Sequence, residues 1–408
     1  MKRPIAFLVA ALSAACSASP TPADHDSPST ATSPSAPASE DARIEAFLNA
    51  RYMASDVRTS FRTELGEDVD CIDFFAQPAV KERAAKGRPL TAIPEPPPLP
   101  PHAEGAPRRG ADEATGPRCP AGTVAQRHLT RADVAAVGLD KLLQKSTPPM
   151  PPTEIPGYAH VTADFDGVGG INTGYDTFSI NSPSLGSNGS HSLSQSWMLS
   201  GTDRLGACYA GDPNCEQSVE VGWWVLSGTT PTLFTWATNS GYNGPPLSFT
   251  AVSPDYHVGQ SLPASVPGGA QHEMSTIILA SGGAWWIAVR IDGGYLEYLG
   301  YYEGFLPSMQ TTAQVFQVGG EVANRDGSSN FSGIQMGSGD SSIFGYPYAA
   351  YHRNYAVYVP DTSDFLTATS YFRETAPSSY WYSTGLAPGD STWTNSFYFG
   401  PAFVWWPL

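Results

Sequence analysis

From Tyr158 onward the chain is written in short runs of Val, Thr, Trp, Tyr and Phe, interrupted by Gly, Asn, Asp and Ser every ~8–12 residues. A helix cannot build its apolar stripe through such frequent breaks, whereas a strand needs only a handful of residues and a turn at each end. The texture predicts an all-β unit, an antiparallel β-sandwich of the jelly-roll or lectin-like kind. Strands are expected at Ser192–Leu199, Ser218–Leu226, Thr232–Thr238, Met274–Leu279, Trp285–Ile291, Tyr295–Tyr302, Ala313–Ala323, Ser332–Met336 and Ala349–Val359, with no helix longer than a turn or two.

Composition divides the chain at the same place. Residues 158–408 hold all ten tryptophans and 18 of the 19 tyrosines, with 19 acids, five arginines and no lysine. The first 157 residues hold 22 of the 37 prolines and a near balance of 19 acids and 17 bases. The overall charge of -16 argues against a nucleic-acid backbone as partner. In acid, once carboxylates neutralise, the second part keeps only its five arginines and five histidines to repel one another, so acid tolerance is expected.

Met1-Lys2-Arg3 and the apolar run Ile5–Ala15 read as a secretory signal over residues 1–16, making the protein secreted or cell-envelope. Cys16 resembles a bacterial lipoprotein site, although Ser13 stands where a branched aliphatic residue is usual; ordinary cleavage nearby is the alternative. Residues 17–40 read as a disordered Ser/Pro/Ala/Thr tether. A partly helical unit is expected over 41–147, with helices at 41–66 and Arg131–Leu143 and an extended polyproline run at Pro94–Pro101. A Pro-rich linker spans 148–157, and the sandwich occupies 158–408.

Without Cys16, four cysteines remain: Cys71, Cys119, Cys208 and Cys215. In an exported protein an even set favours disulfides, and the pairs Cys71–Cys119 and Cys208–Cys215 would each stay within one unit. No CxxC or HExxH spacing supports zinc, and Asp164-Phe165-Asp166-Gly167 is too short a piece of a calcium loop, so neither metal nor cofactor is expected.

Two carboxylates stand in apolar strand contexts: Glu220 in Val219-Glu220-Val221-Gly222-Trp223-Trp224, and Glu321 in Gly319-Gly320-Glu321-Val322-Ala323. Alternation places Glu220 on a face with Gly222 and Trp224, and Glu321 beside Gly319 and Ala323, ground cleared for a substrate backbone. On one concave face, desolvation and mutual repulsion would leave one carboxyl protonated and one ionised, an acid and a base together. The plainer reading pairs each with an arginine, but five arginines must serve nineteen acids. A serine triad lacks its G-x-S-x-G elbow, His191 and His352 read as strand or turn residues, and Gly167-Val168-Gly169-Gly170 fails the dinucleotide pattern.

Taken in order, Ser192-Leu193-Ser194-Gln195-x-Trp197, Val219-Glu220-Val221-Gly222-Trp223, Ala284-Trp285-Trp286, Gly319-Gly320-Glu321-Val322-Ala323-Asn324, Gln335-Met336-Gly337-Ser338-Gly339 and Tyr351-x-Arg353-Asn354 resemble successive signatures of the neprosin family of glutamic peptidases. The first unit resembles that family's activation peptide through Asp70-Cys71-Ile72-Asp73-Phe74-Phe75-x-Gln77-Pro78-Ala79 and Cys119-Pro120-Ala121-Gly122-Thr123-Val124. The resemblance implies a zymogen with its propeptide as inhibitor, proline-containing peptide substrates cleaved after proline, and catalysis by Glu220 and Glu321. Gln195 would support the oxyanion; Trp197, Trp223, Trp224, Trp285 and Trp286 are candidate groove walls, and Gly337 and Ser338 would shape the cleft. Trp224 departs from the polar residue usual in plant members. The rival reading is a carbohydrate-active hydrolase or binding module using the same Trp-lined cleft.

Overall fold

Alternation along the strands decides how the layers pack. In β4 (Tyr158–Phe165), Ala159, Val161, Ala163 and Phe165 point one way while Tyr158, His160, Thr162 and Asp164 point the other. The computed structural model, which describes residues 39–99, 117–142, 156–165, 170–201, 214–360, 364–366, 371–374, 381–386 and 393–402, builds two antiparallel sheets on this pattern. The signal, the tether, Cys16, Cys208 and most of the Pro-rich linker lie outside the described residues.

The first sheet has six strands. It takes β4, β6 (Gly189–Ser200), β7 (Gln217–Val225), β8 (Thr232–Thr238), β13 (Val315–Asn324) and β16 (Tyr371–Glu374) in the order β16-β4-β13-β6-β7-β8. The second has nine: β5 (Thr173–Ser179), β9 (Phe249–Ala251), β10 (Glu273–Ser281), β11 (Ala284–Ile291), β12 (Glu297–Tyr302), β14 (Ala350–Val359), β15 (Asp364–Leu366), β17 (Tyr382–Leu386) and β18 (Ser396–Pro401). Their order is β17-β18-β14-β5-β10-β11-β12-β9, with β15 also paired to β14. The sheets close on one apolar core in which Val219, Val221, Trp223, Phe316 and Val318 meet Ile278, Trp285, Ile287, Tyr355 and Phe399. The expected antiparallel sandwich is thus present.

A polar chain runs through that core. His352 on β14 is 2.7 Å through Nδ1 from Asp176 on β5, its Nε2 is 2.9 Å from Ser194 on β6, and Ser196 donates to Asp176 at 3.0 Å. All four side chains are fully buried, so these bonds pin the back of β6 to the opposite sheet. Removing one member of such a pair strands the other in a dry interior.

Several expected elements differ. The helix expected over 41–66 is α1 (Glu40–Arg51) only; the chain then forms β1 (Val57–Arg62) and β2 (Asp68–Asp73), joined by a turn with Gly66 at φ 84. The helix expected from Arg131 breaks at Gly138, φ 90, into α3 (Arg131–Val137) and α4 (Leu139–Leu142), since no continuing helix tolerates that backbone angle. Ser332–Met336 is a turn segment with Gly333 at φ 77, not a strand. The described part of the polyproline run has no regular secondary structure and ends on Leu99, buried against Ile277, Leu279, Ala288 and Leu296.

From Glu40 on, the chain forms one compact unit. The N-terminal part adds α2 (Pro78–Ala85) and β3 (Thr123–Arg127), which completes the sheet β1-β2-β3, and the Cys71–Cys119 disulfide. It docks on the rim of the larger sheet. Gln77 accepts from Ala251 N at 2.8 Å and donates to Ala251 O at 3.0 Å, taking the place of a further strand beside edge strand β9. Glu67 accepts from Ser261 N and Oγ at 2.8 and 2.9 Å, and Arg83 pairs with Glu303. Arg118 lies 3.4 Å from Asp255. Beside that pair, burial and the Asp255 carboxylate push Glu297 up to about 7.

Two expectations follow. Asp176→Ala costs about 3–5 kcal/mol of stability by leaving His352 buried without its carboxylate, measurable by denaturant unfolding. Glu297, raised on folding, supports the fold fully below its ordinary 4.5 and ceases to do so as pH rises through about 7. Glu297→Gln therefore melts higher than wild type at alkaline pH and matches it in acid; equal melting curves for the two proteins at alkaline pH would refute this.

Candidate active site

The outward face of the six-stranded sheet carries Glu220, Glu321 and Gln195. Register aligns it in rows across the strands. One row reads His160, Glu321, Leu193, Trp224; the next Thr162, Gly319, Gln195, Gly222, Phe234; the third Asp164, Gln317, Trp197, Glu220, Trp236. The middle row is low, because a Cβ at Gly222 would fall 2.1 Å from Ser194 O and one at Gly319 would fall 2.0 Å from Val161 O. Only glycine lets these strands approach so closely, and the result is a floor bounded by one glutamate on each side.

Each glutamate has its own partners. Ser218 donates to Glu220 Oε1 at 2.9 Å, and Tyr242 donates to the same oxygen. Tyr242 reaches it from the turn after β8, at φ 63, a left-handed posture uncommon for a bulky residue. Burial and the adjacent Glu220 raise the Tyr242 phenol well above its ordinary value, which keeps it a proton donor. Glu321 lies between two imidazoles: His191 Nε2 at 2.6 Å from Oε1 and His160 Nε2 at 3.2 Å from Oε2. Burial and Glu321 push the Tyr158 phenol up to about 12.

Glu220 and Glu321 share one face but stand diagonally, on strands separated by β6 and four residues apart along it. On a flat sheet that is about 16 Å between Cα atoms. Glu220 engages Ser218 and Glu321 engages His191, both on the side away from the glycine row, so the register replaces the expected direct repulsion with separate partners.

The other expected residues divide. Gln195 lies in the middle row between the glutamates; it is fully buried and neither of its amide atoms has a hydrogen-bond partner. Trp197 shares Glu220's row, and Trp224 stacks on Phe234 at 4.7 Å. Trp223 faces the opposite way, into the core, where its Nε1 donates to Ser179 O. Trp285 is also core, donating to Met309 O, and Trp286 packs on Tyr298 and Tyr301 of the larger sheet. Gly337, at φ 64, packs against Ala350 and Phe399, so it shapes the interior and not this face, while Ser338 accepts from Asp340 N in a turn. Cys215 is disulfide-bonded, and its expected partner Cys208 lies outside the described residues. Among the described residues no group of three or more His, Cys, Asp or Glu side chains could hold a metal ion.

His160, Thr162, Gln317 and Tyr242 are not singled out by sequence, and His191 reads there only as a strand or turn residue. The four on strands follow from alternation once the strands are placed; Tyr242, on a turn, carries no local signal. The Ser194–His352–Asp176 line has the order of a nucleophile, base and acid, but it is sealed between the sheets at zero exposure for all three.

A family model described as Neprosin matches residues 188–401. The chain belongs to the neprosin family. The matched stretch runs from the start of β6 to the end of β18 and holds both glutamates, Gln195 and His191, while β4, which supplies His160 and Thr162 to the same face, precedes it. Membership of the neprosin family supports a peptidase-like function acting on peptides or proteins. Among solved structures, alginate lyase Aly36B matches at 11% identity over 40% of this chain and 73% of its own, TM-score 0.19. The PL-14 alginate lyase from Aplysia kurodai matches at 11% over 38% and 70%, TM-score 0.18, and vAL-1 from Chlorella virus at 9% over 40% and 84%, TM-score 0.16. Likenesses this slight bear on neither the fold nor the activity of the neprosin domain.

Gly222→Ala should lower stability by at least about 1–3 kcal/mol, the range for forcing added volume into a packed site, measured by thermal unfolding. An unchanged melting temperature would show that β6 and β7 can part without cost.

Proposed function

We propose that the protein is an exported, acid-active glutamic endopeptidase that cleaves after proline and is made as a zymogen. The observation carrying this reading is the pair of fully buried glutamates on one sheet face, either side of a row in which Gly319 and Gly222 flank the Gln195 amide, unpartnered among the described residues. One ionised glutamate takes a proton from water as the water oxygen attacks the scissile carbonyl carbon. The other, protonated, hydrogen-bonds the carbonyl oxygen and then gives its proton to the departing amine. Gln195 Nε2 donates to the oxyanion, a contribution on the order of 3 kcal/mol for a fixed donor. No covalent intermediate is needed. Trp197 and Trp224 offer flat walls against which a proline ring can lie.

The N-terminal part is proposed as the inhibitor. Val137 of α3 and Leu142 of α4 pack on the apolar cluster of this same face, with Leu193, Trp197, Trp224 and Trp236. Glu220, Gln195 and Glu321 have no exposure in the full chain, so a substrate needs that cover removed. Export to the envelope or medium rests on the charged and apolar start of the chain.

Glu220→Gln and Glu321→Gln should each lower kcat/KM on peptides by about 10²–10⁴-fold, the usual share of one acid–base group. Incubation with a mixed peptide library from acid to neutral pH, read by mass spectrometry, reports cleavage site, pH optimum and mature N-terminus together. Hydrolysis of a soluble glucan with peptides left intact would replace this reading by the carbohydrate one.

A further inference from the structure

Gly319 leaves the site face without a side chain, and its four neighbours on that face are all polar. Thr162 and Gln195 flank it across the strands, while Gln317 and Glu321 precede and follow it by two residues. Thr162 is 1% exposed and Gln195, Gln317 and Glu321 are 0% exposed. Yet Thr162 Oγ1 and both amide atoms of Gln195 and of Gln317 have no hydrogen-bond partner among the described residues. Buried amides without partners cost a fold about 1–3 kcal/mol each, and here two of them and a hydroxyl ring one hollow. An arrangement of this kind is stable only if something else completes it.

The chemistry of the ring defines what that is. Each glutamine offers an N–H donor and a carbonyl acceptor in one plane, the threonine hydroxyl can do either, and Glu321 closes the fourth side. A peptide group presents the same two functions, also in a plane and without charge. Resting on the proposed peptidase reading, we propose that the hollow over Gly319 seats one substrate peptide group, with Gln317 and Thr162 joining Gln195 as its hydrogen-bonding ring. The carbonyl accepts from the amide nitrogens, and the peptide N–H donates to a glutamine oxygen or to Thr162. The hollow therefore selects a peptide group that carries an N–H. The bond after a proline has one, and the bond before it does not.

The test uses the full chain after activation, with kcat/KM on a peptide substrate and on the same peptide N-methylated at the scissile bond, and with the melting temperature of each variant. Gln317→Leu should melt higher than wild type, because an unpartnered buried amide is gone, and should lose about tenfold or more in kcat/KM, chiefly through KM. Thr162→Val should move both quantities the same way by less, and N-methylation should cost wild type more than it costs Gln317→Leu. Should Gln317→Leu and Thr162→Val keep wild-type kinetics while Glu321→Gln loses turnover, the hollow is misassigned and the peptidase reading stands. A fall in melting temperature in both Gln317→Leu and the volume-matched Gln317→Met would show that the amide is satisfied at rest, by an ordered water, and would also overturn the proposal. Failure of wild type to cut any peptide removes the peptidase reading and the proposal with it.

Discussion

The close approach of β13 to β4 at Gly319 and of β7 to β6 at Gly222 is the constraint on which the site depends. Strand pairing fixes which side chains stand opposite one another, and a slip of one residue would turn Glu220, Gln195 and Glu321 into the core and bring Trp223 and Val221 out to water. Two things hold the register. The glycines leave no space for a side chain between the strands, and behind β6 the hydrogen bonds of Ser194 and Ser196 with His352, Asp176 and Thr276 tie the strand to the second sheet. The site face is thus positioned from the interior, by polar groups that take no part in the chemistry.

Much of this was legible in the sequence because period-two alternation is strong here. Of the strands expected in the second part, all but Ser332–Met336 are present, most with ends within a residue or two. Glu220 and Glu321 stood out because a carboxylate amid Val, Gly and Trp in a strand calls for a reason. Partners from distant strands were illegible: His160 and Glu321 are 161 positions apart, and nothing local to either announces the other. The same limit hid the buried Asp176–His352 pair. The N-terminal helices are overextended in the sequence reading because an apolar period says nothing about where a backbone must turn, as it does at Gly138 between α3 and α4 and at Gly66 between β1 and β2.

Charge is distributed to match this division of labour. The lysine-free sandwich pairs its own Arg353 with Glu273 and draws two further cations from the N-terminal part: Arg83 meets Glu303, and Arg118 meets Asp255. Each of the latter two contacts joins an N-terminal base to an acid of the sandwich. On the outward face Glu321 is flanked by imidazoles, His160 and His191, and not by arginine.

The clasp of Gln77 on Ala251 also protects an edge. A single side-chain amide closes the margin of β9 that would otherwise offer its backbone to any passing extended chain. Losing that clasp early, before the large sheet is complete, would invite molecules to stack edge to edge. One glutamine of the N-terminal part thus stands between the rim of the large sheet and the pairing of two such rims.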